Sequence, residues 1–215
     1  MQRIKTAILM LALLAAFGAT AAANEVIYDV TIDTSSLGGA GDIYFAFAGG
    51  IGAEPASVAI SGFTPLAALS PSSGESFTDG GVSGSLDTGD LALTNWLYAL
   101  NDYNEEVTFG STLSFQVAFN LPDILMGNSG GELDVQLTTL SPGYTPLLTG
   151  DPSGNIVEIA YDYTGAFTPT ATSSDATVTP AGGVPEPGSW ALTLIGAGLA
   201  GGMRMARRRE PALRL

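Results

Sequence analysis

The chain has no histidine and no cysteine, and its lysines and arginines number seven against twenty-one aspartates and glutamates. The lack of cysteine rules out disulfides, thiol nucleophiles, and cysteine-ligated zinc, haem or iron–sulfur clusters. The lack of histidine rules out a Ser-His-Asp triad. So few bases also argue against nucleic acid as a partner, because that binding runs on Lys and Arg against phosphate. The bases that exist stand at the two ends: Arg3 and Lys5, then Arg204, Arg207, Arg208, Arg209 and Arg214. Between Asn24 and Gly188 there is none, yet 20 of the 21 acids lie there, giving a net charge of −20 over 165 residues. No Lys or Arg ion pair can form inside that stretch. Its self-repulsion favours solubility at some cost to compactness.

What is present at the first end reads as a secretory signal over residues 1–23. Arg3 and Lys5 make a positive start, Ala7 to Phe17 an apolar run, and Ala21-Ala22-Ala23 a small-residue cleavage site before Asn24. The apolar run of about a dozen residues falls short of the ~20 that span a bilayer. A cleaved leader is therefore expected, and with it a chain that leaves the cytoplasm.

The other end has three parts within residues 184–209: Val184-Pro185-Glu186-Pro187-Gly188-Ser189, an apolar run from Trp190 to Met203, and the bases Arg204, Arg207, Arg208 and Arg209. Pro185 and Pro187 fix φ and keep the residues before them out of helix. Ser189 is placed to cap a helix that follows. Fourteen apolar residues at 1.5 Å each reach only about 21 Å, so snorkelling arginines and local thinning must complete a crossing. The arginines act as a membrane stop on the cytoplasmic side. Gly196, Gly198, Gly201 and Gly202 leave the run a small-residue face for another helix. This tail resembles the PEP-CTERM sorting signal of exported bacterial proteins, with Pro185-Glu186-Pro187 as the namesake. The resemblance implies recognition and cleavage by an exosortase-type membrane protease, then transfer to the cell surface or an exopolysaccharide-containing extracellular matrix. The rival reading is a plain tail anchor that is never cleaved. Residues 210–215 extend past the arginines.

Residues 24–167 read as an all-β ectodomain, a single jelly-roll-like β-sandwich. Val26, Tyr28, Val30 and Ile32 alternate with more polar neighbours at the two-residue period of a half-buried strand. Ile43-Phe45-Phe47, Val58-Ile60, Leu113-Phe115-Val117-Phe119 and Leu133-Val135-Leu137 repeat that pattern, the last after a glycine-rich turn at Gly127 to Gly131. Asp87 to Asp90 is a hairpin turn between Val82–Leu86 and Leu91–Thr94, and Asp151 to Asn155 another between Tyr144–Thr149 and Ile156–Tyr161. Only Thr94 to Tyr103 hints at helix, through Trp96, Leu97, Leu100 and Tyr103. The expected total is about eight or nine short strands. Residues 168–183, rich in Thr, Ser, Pro and Gly, read as a linker, although Val178 offers a last strand. Tyr28 to Ser35 and Thr145-Pro146-Leu147-Leu148 give the body a resemblance to a recurrent ectodomain type of PEP-CTERM proteins that has no assigned activity.

No catalytic, cofactor or metal-ligating residue stands out. Paired carboxylates hydrolyse glycosides, but 20 acids in one domain make chance pairs common, and Trp96 is its only Trp before the tail. Calcium is the one small ligand with candidate oxygens, at Asn101-Asp102-Tyr103-Asn104-Glu105-Glu106 and at Asp87-Thr88-Gly89-Asp90. Neither stretch has the EF-hand spacing, so the preferred reading of each is a solvated acidic loop. The expectation is a non-enzymatic structural or adhesive protein that meets the cytoplasmic membrane through its tail. The alternative is a calcium- or carbohydrate-binding module on the envelope.

Overall fold

The computed structural model describes residues 25–70, 77–95, 100–122, 128–140 and 142–181. The expected leader and the sorting tail lie outside them, as do Trp96 and Leu97. Among the described residues no helix is long and apolar enough to cross a membrane.

The described residues form twelve strands: β1 Glu25–Asp33, β2 Ala40–Gly49, β3 Ser57–Thr64, β4 Phe77–Asp79, β5 Gly81–Ser83, β6 Leu91–Thr94, β7 Asn101–Thr108, β8 Thr112–Asn120, β9 Gly131–Thr139, β10 Val157–Tyr161, β11 Phe167–Ala171 and β12 Ala176–Pro180. The first sheet runs β12-β1-β8-β3-β6-β5 and the second β11-β10-β9-β2-β7-β4. Neighbouring strands in both pair antiparallel.

Alternation decides what each strand buries. In β1 the inward set is Tyr28, Val30 and Ile32, and in β8 it is Leu113, Phe115, Val117 and Phe119. From the second sheet Ile43, Phe45 and Phe47 of β2 and Leu133, Val135 and Leu137 of β9 point at them. The two sets form one core. Phe45 meets Phe115 edge-on with ring centres 5.3 Å apart, and Phe47 meets Phe119 at 6.2 Å. Edge-to-face pairs of this kind are worth about 0.5–1.5 kcal/mol beyond the area they bury. Buried Asn95 finds partners for its amide. Asn95 accepts from the Ala56 amide at 2.6 Å and donates to Glu54 O and the Tyr161 hydroxyl, each at 3.1 Å. Leaving such a buried donor unpaired costs about 1–3 kcal/mol.

Three expectations need correction. Residues 168–183 are not a linker throughout, because they supply most of β11 and all of β12. Strand β12 pairs with β1 from Tyr28↔Pro180 to Ile32↔Ala176, and Phe167 of β11 packs on Phe119 at 5.0 Å and Tyr28 at 6.0 Å. The compact unit accordingly runs to Ala181. Of the helical hint at Thr94–Tyr103, residues 96–99 lie outside the described residues, while from Asn101 the chain is strand, where Tyr103, Glu105 and Val107 turn inward at the two-residue period. Finally, Tyr144–Thr149 forms no strand: Tyr144 and Leu148 have φ of 39° and 55°, which breaks an extended run, and Pro146 alone bridges Thr138.

Candidate functional site

The outward side chains of the second sheet form rows fixed by strand register. One row is Asn104, Tyr44 and Gln136, across β7, β2 and β9. The next is Asp102, Ala46, Asp134 and Glu158, ending on β10. A third holds Ala48, Glu132 and Ala160. The small side chains of Ala46 and Ala48 leave room for the long ones beside them.

Within these rows Glu132, Asp134 and Glu158 bring carboxylate oxygens within 4.8 Å of one another. Burial first, then the charges of Glu132, Glu158 and Asp151, push the Asp134 carboxyl up to about 7. Asn155 anchors the group, its Nδ2 donating to Asp134 Oδ1 at 3.0 Å and to Glu158 Oε1 at 2.9 Å. Like charges this close cannot all ionise, so the cluster holds a proton near neutral pH. Three hard oxygens also suit a divalent cation, which takes six to eight in the case of calcium. Tyr44, between Asp102 and Asp134, is bonded to Asp102, and burial together with these two charges raises its hydroxyl well above the usual phenol range. Asp102 Oδ1 and Asn104 Oδ1 are shut off from solvent without a hydrogen-bond partner among the described residues.

Beside the cluster lies a cavity of about 370 Å³ lined by Tyr44, Asn104, Gln136, Thr138 and Tyr144. Tyr144 reaches it from residues 142–148, which run back along β9: Thr139 N donates to Thr145 O at 2.9 Å and Leu147 N to Leu137 O at 2.8 Å. Gly154 makes room for this fold, since a Cβ there would sit 2.8 Å from Pro146 Cγ.

The calcium stretches do not assemble as the sequence implied. Asn101 to Glu106 is strand, so its oxygens alternate between faces: Asp102, Asn104 and Glu106 outward, Asn101, Tyr103 and Glu105 inward. They cannot converge on one ion. Glu105 is buried and accepts from the Tyr103 hydroxyl; burial raises its carboxyl, partly offset by that bond. In the Asp87–Asp90 turn, Ser85 Oγ donates to Asp87 and Thr88 Oγ1 to Asp90, so local hydroxyls engage both carboxylates. Sequence reading missed Glu132, Asp134 and Glu158, which are 26 residues apart at the extremes and meet only through the β9–β10 pairing. The available signal was their outward phase on strands already recognised.

These observations define an all-β domain of two antiparallel sheets with a polar, carboxylate-rich outer face. Its sorting class comes from the other end of the chain: residues 183–209 match the PEP-CTERM protein-sorting motif. The chain thus carries a PEP-CTERM motif, which indicates an exported protein, held by a C-terminal membrane anchor before processing and sorted by an exosortase-type enzyme. The motif residues Val184 to Pro187 and the arginines at 204 and 207–209 lie outside the described residues. No curated protein matches the chain. No solved structure matches it either.

Proposed function

We propose that this is a non-enzymatic surface or extracellular-matrix protein, a β-sandwich domain delivered through its Pro185-Glu186-Pro187 motif to an exosortase-type membrane protease. The observation that carries this reading is the motif match over residues 183–209. The chemistry of sorting belongs to the protease, and this chain is its substrate. Prolines flanking Glu186 hold an extended backbone that a protease can grip. The apolar run and the arginines at 204 and 207–209 set the depth at which the motif is presented. After processing, the acidic domain stands at the cell surface or among exopolysaccharide, soluble through its own charge.

Intact-mass spectrometry of the protein recovered separately from membranes and medium tests this. The expected mature species starts near Asn24 and ends near Pro187. Glu186→Ala is expected to leave export intact and to block processing. Normal processing of that variant would refute recognition of the motif. A wild-type chain that keeps Trp190 to Leu215 and stays in the membrane would make the tail a simple anchor.

A further inference from the structure

The geometry points to the cavity on the outer face of the second sheet as a binding site for a neutral, polyhydroxylated ring, the pyranose unit of a glycan. Its size falls within the roughly 300–1,000 Å³ of small-molecule pockets, at about 370 Å³. It crosses four adjacent lanes, from Asn104 on β7 through Tyr44 on β2 and Gln136 on β9 to Tyr144, a trough about 14 Å wide at the usual strand spacing.

The hydrogen-bonding groups of the lining indicate the kind of ligand. The carboxylates of Asp134 and Glu158 take both bonds from Asn155 Nδ2, which turns Asn155 Oδ1 towards Gln136. Gln136 then donates through Nε2 to Asn155 Oδ1 at 2.8 Å and to Ser153 O at 3.2 Å. With both amide protons engaged, its remaining group is the acceptor Oε1. The Tyr44 hydroxyl is bonded to Asp102, so its proton is engaged as well. Asn104, Thr138 and Tyr144 add a carboxamide and two hydroxyls, groups that donate as well as accept. The lining therefore mixes acceptors with donors, and a partner with several O–H groups, each able to donate and to accept, matches it.

Charge and shape narrow this further. Asp102 and Asp134 flank Tyr44, and no Lys or Arg exists between Asn24 and Gly188, so anionic sugars and phosphates are repelled. Among the described residues no carboxylate lines the cavity, so a bare cation finds no charged ligand from them inside it. Two tyrosines do line it, and Tyr144, 53 % exposed at the rim, presents an aromatic ring suited to the C–H face of a pyranose. Tyr144 is held there at a φ of 39°, a backbone state that non-glycine residues seldom adopt.

Isothermal titration of the purified full-length chain tests the site. Probes are glucose, galactose, mannose and N-acetylglucosamine, free and as linear tetramers, with tetragalacturonate as the anionic control and calcium chloride alone. At least one neutral probe should bind saturably below about 10 mM. Tyr144→Ala and Thr138→Val, with melting curves like the parent, should each weaken that binding about ten-fold or more. The inference is overturned if no neutral probe gives saturable heat, if both variants bind like the parent, or if tetragalacturonate binds as tightly. Saturable calcium binding without any sugar signal also overturns it, in favour of an ion at the neighbouring carboxylates. None of these outcomes bears on whether the tail is processed.

Discussion

Asp134 shows how neighbours change one carboxyl group. Its ordinary value is 3.8, and in the folded protein it is pushed up to about 7 by burial and by Glu132, Glu158 and Asp151. A folded state that holds a proton the unfolded chain has released is stabilised at low pH, and loses that advantage as pH rises through the folded value. Glu105, also raised by burial, works in the same direction. Asp33 and Asp162 work the other way: hydrogen bonds from Ser35, and from Thr164 and Ala166, lower them, so their contribution fades only below their ordinary 3.8. The melting temperature should therefore fall between about pH 5 and about pH 8. Asp134→Asn removes the charge while keeping an oxygen for Asn155 Nδ2, so it should flatten that fall and exceed the parent at about pH 8. An equally steep profile in the variant, followed by circular dichroism, would show that the cluster is not its source.

At the scale of elements, the C-terminal strands β11 and β12 matter most. They add an edge to each sheet, and Phe167 enters the aromatic group of Tyr28, Phe119 and Tyr161. Pro169 and Pro180 are compatible with this, since proline is accepted on edge strands. A chain ended after Ala166 loses a large aromatic worth about 1.5–3 kcal/mol and the whole ladder against β1. Against a total stability of about 5–15 kcal/mol, it should lose several kcal/mol and unfold at clearly lower urea. A chain ended after Ala181 should keep the parent's midpoint. Equal midpoints for the two would return residues 168–183 to the status of linker. These strands were hard to read because Phe167 to Ala171 and Ala176 to Pro180 contain few large apolar side chains. Edge strands need fewer. By contrast β1, β2, β8 and β9 were legible, since central strands facing a core must alternate large apolar residues with polar ones. The Asn101–Glu106 acids misled for a related reason: hydrophilic composition suggested a loop, while inward Tyr103 and Val107 hold it as a strand.

At the scale of the whole molecule, the unrelieved negative charge is the dominant feature. The stretch from Asn24 to Gly188 carries −20 with no compensating base, so repulsion between its faces opposes compaction. Salt screens such repulsion over about 10 Å at 0.1 M. Raising sodium chloride from about 0.01 M to about 0.5 M should raise the melting temperature. A midpoint that ignores salt would mean that the fold spaces its acids widely enough to cost little.

By itself the sequence determined the all-β class, most central strands, the charge of the body and the sorting motif at its end. All of these are local properties: a two-residue period, a count of side chains, or a contiguous run such as Val184 to Arg209. The site on the second sheet was decided only by tertiary structure. Tyr44, Asn104, Gln136 and Asp134 come from three strands that are neighbours through the order β9-β2-β7. Register then sets which acids share a proton and which amide shows its oxygen. Pairing across long loops has no local signature, because its free energy arises from surfaces that meet only after the chain has closed on itself.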